Sequence, residues 1–123
     1  MKVSLINVNL VARDAIGNCI LSQVRFFQER GDDVRVYVSH APQGVPSDVE
    51  TMTRVVRLSD LISGQDEHFS QSDLFIYHYP GQHELMDSIR GIDRGTVIFY
   101  YHNVTPPELW GSEANLEELI RGV

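Results

Sequence analysis

The sequence predicts a single α/β domain: a mostly parallel sheet of about five strands with helices covering both faces. Three observations carry that prediction. Five short apolar runs recur along the chain, helical or connecting segments separate most of them, and the first run leads through a glycine-containing loop into the clearest amphipathic helix. At 123 residues the chain is the size of one domain, and it is too small for an architecture that closes a substrate between two lobes.

The elements follow in order. VSLINVNLV, Val3 to Val11, is an apolar run short enough for a buried strand, and the loop ARDAIGN follows it. Ile20, Val24 and Phe27 then recur at helical spacing, and Glu29-Arg30-Gly31 supplies a basic residue and a glycine to end the helix. VRVYVSH, Val34 to His40, alternates Val34, Val36 and Val38 against Arg35 and Tyr37 and reads as the second strand. The two prolines and the glycine of APQGVPSDVE predict a surface loop.

RVVRL, Arg54 to Leu58, is flanked by arginines and suits a strand near a sheet edge. SDLISGQDEHFSQ reads as a weak helix or an irregular connector. DLFIYHYP, Asp73 to Pro80, is an aromatic strand closed by proline. GQHELMDSIRGI predicts a short helix with Leu85 and Ile89 on one face and Gly91 as its stop. TVIFYYHN, Thr96 to Asn103, is the fifth strand, and EANLEELIRG places Leu116, Leu119 and Ile120 on one helical stripe capped by Ser112.

Composition narrows the function classes. Seventeen acidic residues against ten basic ones give a formal charge of -7, and no Lys/Arg cluster could follow a phosphate backbone, so nucleic-acid binding is disfavoured. Cys19 is the only cysteine, which excludes an internal disulfide and a Cys-x-x-Cys metal knuckle and favours a reducing, cytoplasmic location. No apolar run approaches the roughly 18 to 20 residues that span a bilayer. MKVSLINVNL lacks a leader's cleavage signal, so the mature chain is expected to begin at or near Met1.

In a parallel sheet, ligands gather beyond the carboxyl ends of the strands, which directs attention to the loops starting at Val11, His40, His78 and Tyr101. Thr105-Pro-Pro-Glu108 fits a capping box, with Pro106 at the first helical position, and would fix a turn directly after His102 and Asn103. Either TPPE merely starts a helix, or its free amides face a ligand at the strand end.

The loop Arg13-Asp14-Ala15-Ile16-Gly17-Asn18 lacks the G-x-G-x-x-G dinucleotide fingerprint. Gly17 could serve turn geometry alone or let the backbone approach a sugar or phosphate, with Asn18 capping the helix and Asp14 accepting sugar hydroxyls. His78, His83 and Glu84 do not have a recognised metal-ligand spacing, so no metal is expected, and His78 is read as a cleft-lining residue. Cys19 reads either as a small packed side chain or as a thiolate near a helix start. Leu109 and Trp110 form either an exposed apolar patch or ordinary core. A phosphoacceptor receiver is excluded because Asn7, Asn9 and Leu58 stand where that chemistry needs aspartates.

DAIGN at 14–18, DLFIYHYP at 73–80 and above all YHNVTPPELW at 101–110 resemble the amino-terminal part of family 4 glycosyltransferases, the retaining enzymes with two Rossmann-like lobes in a GT-B fold. The resemblance implies that the chain is an incomplete amino-terminal lobe. It also implies transfer of a hexosyl group from a nucleoside diphosphate sugar to an acceptor hydroxyl with retention, with no further cofactor and no catalytic metal. By the same resemblance His102 approaches the donor sugar as the catalytic residue. Asp14, Ile16, Gly17, Asn18, His78, Asn103 and Thr105 then line the donor or acceptor site.

The implied partners are a carboxyl-terminal lobe, the sugar nucleotide, and a carbohydrate or lipid-linked acceptor that would bring the full protein to the membrane surface. Without that lobe the chain is expected to be inactive, because one wall of a cleft can neither position both reactants nor exclude water. An open sheet edge or exposed apolar surface would favour a homodimer. The competing readings are a flavodoxin-like interaction domain without catalysis and a fragment of a sugar-nucleotide epimerase.

Overall fold

The computed structural model describes residues 1–79 and 84–101. Five strands form one parallel sheet: β1 (Lys2–Ile6), β2 (Asp33–Val38), β3 (Thr53–Val55), β4 (Leu74–Tyr79) and β5 (Thr96–Tyr101). Their spatial order is β3-β2-β1-β4-β5. That is the Rossmann-like order, and it differs from the flavodoxin-like order β2-β1-β3-β4-β5. Helices α1 (Ala15–Glu29), α2 (Ser47–Met52), α3 (Leu58–Ile62) and α4 (Glu67–Ser70) and a 3-10 helix (Glu84–Gly91) make the connections.

The two-residue period of the strands divides the core between the faces of the sheet. Val3 and Leu5 of β1, Val34, Val36 and Val38 of β2 and Ile76 of β4 meet Ile16, Ile20, Val24 and Phe27 of α1. The alternate residues Ile6, Tyr37, Phe75 and Tyr77 meet Leu61, Phe69, Leu85 and Met86 on the other face. Tyr37 of β2 and Phe75 and Tyr77 of β4 are therefore buried in a second layer. Their hydroxyls are satisfied there: Tyr37 donates to Asp66 Oδ1 at 2.6 Å, and Tyr77 lies 2.7 Å from Ser88 Oγ. Burial pushes the Tyr77 phenol up to about 12.

α1 ends as the sequence predicts, one residue beyond its last turn. The Asp32 amide reaches the Phe27 carbonyl at 2.9 Å and the Gly31 amide reaches the Gln28 carbonyl at 3.0 Å, which closes the orphan carbonyls in a Schellman motif. Gly31 takes the required left-handed backbone at φ 83°.

Several expectations are corrected. β1 stops at Ile6 instead of Val11; the Asn7 side chain donates to the Asn9 carbonyl, and beyond Val8 the chain leaves the β1–β2 ladder. β2 and β3 likewise end short of His40 and Leu58, and Leu58 opens α3. APQGVPSDVE is not loop throughout: from Ser47 it is helix, starting after Pro46 and anchored by buried Val49. The connector 59–71 holds the end of α3 and all of α4, separated by Gly64. Over Glu84–Gly91 the winding is 3-10, whose repeat of three stacks Ser88 on Leu85; Ile89 is therefore 37% exposed instead of sharing that buried face. The predicted helix near 113–122 and the Leu109-Trp110 surface lie outside the described residues.

Candidate functional site

The strand order reverses between β1 and β4, so the crevice favoured for ligands opens between the loop after β1 and the end of β4. Asn7 stands at the carboxyl end of β1. Its backbone amide donates to the Tyr37 carbonyl at 3.1 Å, continuing the β1–β2 ladder, and its side-chain Nδ2 donates to the Asn9 carbonyl at 2.9 Å. The residue is buried and among the described residues its Oδ1 has no hydrogen-bond partner, which leaves acceptor capacity at the switch point. The loop beyond is tied to the segment after β2 by the isolated bridge between Val11 and Gln43, and the Ala12 amide donates to the Gln43 carbonyl at 2.9 Å. Arg13 then takes a left-handed backbone at φ 72°, uncommon for a residue with a side chain.

Asp14 caps α1, its Oδ1 accepting the Ile16 amide at 2.9 Å. The cap assigned to Asn18 is therefore corrected. Asn18 is already one turn inside the helix, exposed, with its amide donating to the Asp14 carbonyl at 2.8 Å. Ile16 is buried in the α1 core, and Gly17 is buried against Val11. A Cβ at Gly17 would run into the Val11 carbonyl, lying 2.8 Å from its carbon, so close packing of backbone on backbone accounts for the glycine. One Asp14 oxygen is committed to the cap, and its exposed carboxylate keeps acceptor capacity.

On the neighbouring side, His78 near the end of β4 is fully buried and sits under α1, its Nε2 2.6 Å from Gln23 Oε1. Its ring lies 5.4 Å from that of Tyr100 on β5. Cys19, in the second turn of α1, lies close enough to Tyr100 to hold its phenol above the ordinary pKa. His78 stands near the carboxyl end of β4, Asp14 caps α1, and Ile16, Gly17 and Asn18 lie in its first turn. His83, His102, Asn103 and Thr105 lie outside the described residues.

Sequence reasoning missed Asn7 and Gln23. Asn7 was legible as a polar residue interrupting an apolar run. Gln23 was legible as the polar member of a stripe that otherwise reads Ile16, Ile20, Val24 and Phe27.

Depressions bordered by described residues also lie on the opposite, amino-terminal edge. One of about 450 Å³ is bordered by Met1, Lys2, Asp73 and Arg94. Most of its charged groups already have partners: the amino terminus meets Asp32 at 3.0 Å, the Lys2 ammonium donates to Gln71 at 2.7 Å, and Arg94 meets Asp73 at 3.0 Å. Among the described residues no group of three or more His, Cys, Asp or Glu side chains is placed to hold a metal ion, and no helix is long and apolar enough to cross a membrane.

Fold and site together define a doubly wound, Rossmann-like α/β domain with a candidate crevice at its switch point. Comparison of the chain with models of protein families, with curated proteins and with solved structures finds no match.

Proposed function

We propose that the domain is the nucleotide-sugar-facing part of a retaining glycosyltransferase, working with a second lobe that closes the cleft. The observation that carries this reading is the stretch YHNVTPPELW, which begins at Tyr101, the last residue of β5. A histidine, an asparagine and a cap-forming TPPE follow a strand whose carboxyl end adjoins that of β4. In this reading His102 orients the donor sugar and stabilises charge developing near the reaction centre, without forming a covalent intermediate. Asn103 and Thr105 hold its loop, while Asp14, Ile16, Gly17, Asn18 and His78 shape the opposing wall. The donor is a nucleoside diphosphate sugar, the acceptor a carbohydrate or lipid-linked hydroxyl, and the setting the cytoplasm or its membrane surface.

The test is titration of UDP- and GDP-sugars against the isotope-labelled chain, combined with transfer assays on a protein that carries both lobes. Shifts at the amides of residues 7–18 and 77–78, with transfer lost in His102→Ala, are expected. A two-lobed protein that binds no sugar nucleotide, or whose transfer survives His102→Ala unchanged, removes the reading. Released nucleotide with a new glycoside separates it from an epimerase, which yields an isomerised sugar nucleotide.

A second reading draws on β5. Ile98, Phe99 and Tyr100 are each more than a third exposed on a strand that carries no charge and no proline. That surface suits an assembly domain pairing through its sheet edge, although the strand order is not the flavodoxin-like one.

A further inference from the structure

α4 has only four residues, yet it buries two rings against the sheet, His68 and Phe69. His68 is 4% exposed, and its Nε2 lies 2.9 Å from the Val3 carbonyl of β1. A carbonyl only accepts, so Nε2 carries the hydrogen, and in the neutral ring Nδ1 is a bare acceptor. Among the described residues Nδ1 is buried without a hydrogen-bond partner, and it faces Asp33 Oδ2 at 3.6 Å. The carboxylate is a second acceptor, so neither group can satisfy the other while the ring is neutral. A cation between them satisfies both.

We propose that His68 Nδ1 and Asp33 Oδ2 are the two protein donors of a binding site for a divalent transition-metal ion of the zinc type, completed by water. Imidazole nitrogen and carboxylate oxygen are ordinary zinc donors at about 2.0 to 2.2 Å, and at tetrahedral angles two such donors stand about 3.4 Å apart. The 3.6 Å between Nδ1 and Oδ2 is close to that span. The bond from Nε2 to the Val3 carbonyl is the outer contact that fixes the tautomer and ring orientation of a ligating histidine. Both donors stand on ordered backbone. Asp66 caps the turn of His68 by accepting the Phe69 amide at 2.9 Å, and Asp33 opens β2 with its amide donating to the Met1 carbonyl at 2.9 Å.

The surrounding charges leave room for a cation. The pair borders a polar depression of about 300 Å³ shared with Lys2, Arg35, Asp66 and Glu67. Asp66 and Glu67 offset Lys2 and Arg35, and the Lys2 ammonium is turned to Gln71. Among the described residues no Lys or Arg lies within ion-pair distance of Asp33, so its charge is the one left to meet an ion. The Asp33 side chain is 59% exposed, which leaves the remaining coordination positions to water. An ion held here ties α4 to the amino-terminal ends of β1 and β2. Magnesium and calcium, which take oxygen donors, do not suit the imidazole.

The experiment is a titration of the isotope-labelled whole chain with zinc chloride, and in parallel with magnesium chloride, read by NMR at the ring nitrogens of His68 and at the backbone amides. Zinc should move the His68 Nδ1 resonance saturably while Nε2 keeps its hydrogen, and the amides of Asp33 and residues 67–69 should follow the same isotherm; magnesium should move none of them. Asp33→Asn changes an exposed side chain and should weaken zinc binding by at least about tenfold. His68→Gln can still donate to the Val3 carbonyl but brings no ring nitrogen, and the amide response should be lost. Cys19→Ser, which removes the chain's one thiol, should leave the His68 response intact. A folded wild type whose Nδ1 does not respond to zinc, an unchanged affinity in Asp33→Asn, or a His68 response that vanishes in Cys19→Ser overturns the proposal.

Discussion

Gly17→Ala sets two known effects against each other at one position. Alanine in place of glycine inside a helix gains roughly 1 kcal/mol of intrinsic propensity. Against that, the added methyl meets the Val11 carbonyl group, whose carbon would lie 2.8 Å away and whose nitrogen 3.4 Å. The obstacle is backbone, held by the bridge to Gln43, so it cannot turn aside like a side chain. Overpacking of this kind costs typically about 1 to 3 kcal/mol, and an immovable neighbour places it at the upper end. The net expectation is a loss of about 2 kcal/mol, seen as a Tm lower by roughly 5 to 10 °C in a domain of this size. Urea unfolding of Gly17→Ala beside Asn18→Ala, an exposed neighbour on the same helix, isolates the contact. A Gly17→Ala protein as stable as the wild type would mean that propensity wins and that the α1–loop approach is looser than described. The ligand account of this glycine would then gain, and lost sugar-nucleotide shifts in a stable Gly17→Ala protein would establish it.

Asp14→Ala removes the α1 cap and should cost about 1 kcal/mol in the same unfolding assay, while Asp14→Ser should recover most of it. Tyr77→Phe deletes a buried hydroxyl whose partner, Ser88, also donates to the Leu85 carbonyl at 2.6 Å; the remaining bond limits the loss to about 1 kcal/mol. If the exposed side of β5 pairs two copies, the wild type sediments as a dimer at high concentration and Ile98→Lys as a monomer. A monomeric wild type removes the assembly reading.

The strands were legible because their apolar residues recur at the spacing a two-faced sheet demands, as in Val34, Val36 and Val38. Their ends were less so. Asn7 looks like any polar interruption until its side chain is seen closing on Asn9, and beyond Val8 the chain leaves the β1–β2 ladder. α2 was hidden because only Val49 and the half-buried Met52 anchor it, too little to raise a helical period above the prolines before it. The cap of α1 had two suitable residues four apart, Asp14 and Asn18. What decides between them is the burial of Ile16 and Gly17, which brings the helix start forward, and that is a tertiary effect. The Rossmann-like strand order was not legible at all, since neighbours in the sheet are chosen by packing between segments distant in sequence.

The two edges of the sheet spend their polar groups differently, and that difference supports placing a ligand on one of them. At the amino-terminal edge, most charges answer one another: the amino terminus and Arg30 both meet Asp32 at 3.0 Å, and Asp73 accepts from Arg94 and from the Lys2 amide, the exception being Asp33, which faces the bare Nδ1 of His68. Away from that pair, a ligand there would have to displace existing partners, gaining only the difference between two sets of contacts. At the carboxyl edge Asn7 keeps an acceptor without a partner among the described residues, Arg13 holds an uncommon backbone, and Gln23 meets the ring of His78 from within α1. Groups arranged in this way have more to gain from a ligand than from each other, which is the physical reason to look for one above the ends of β1 and β4.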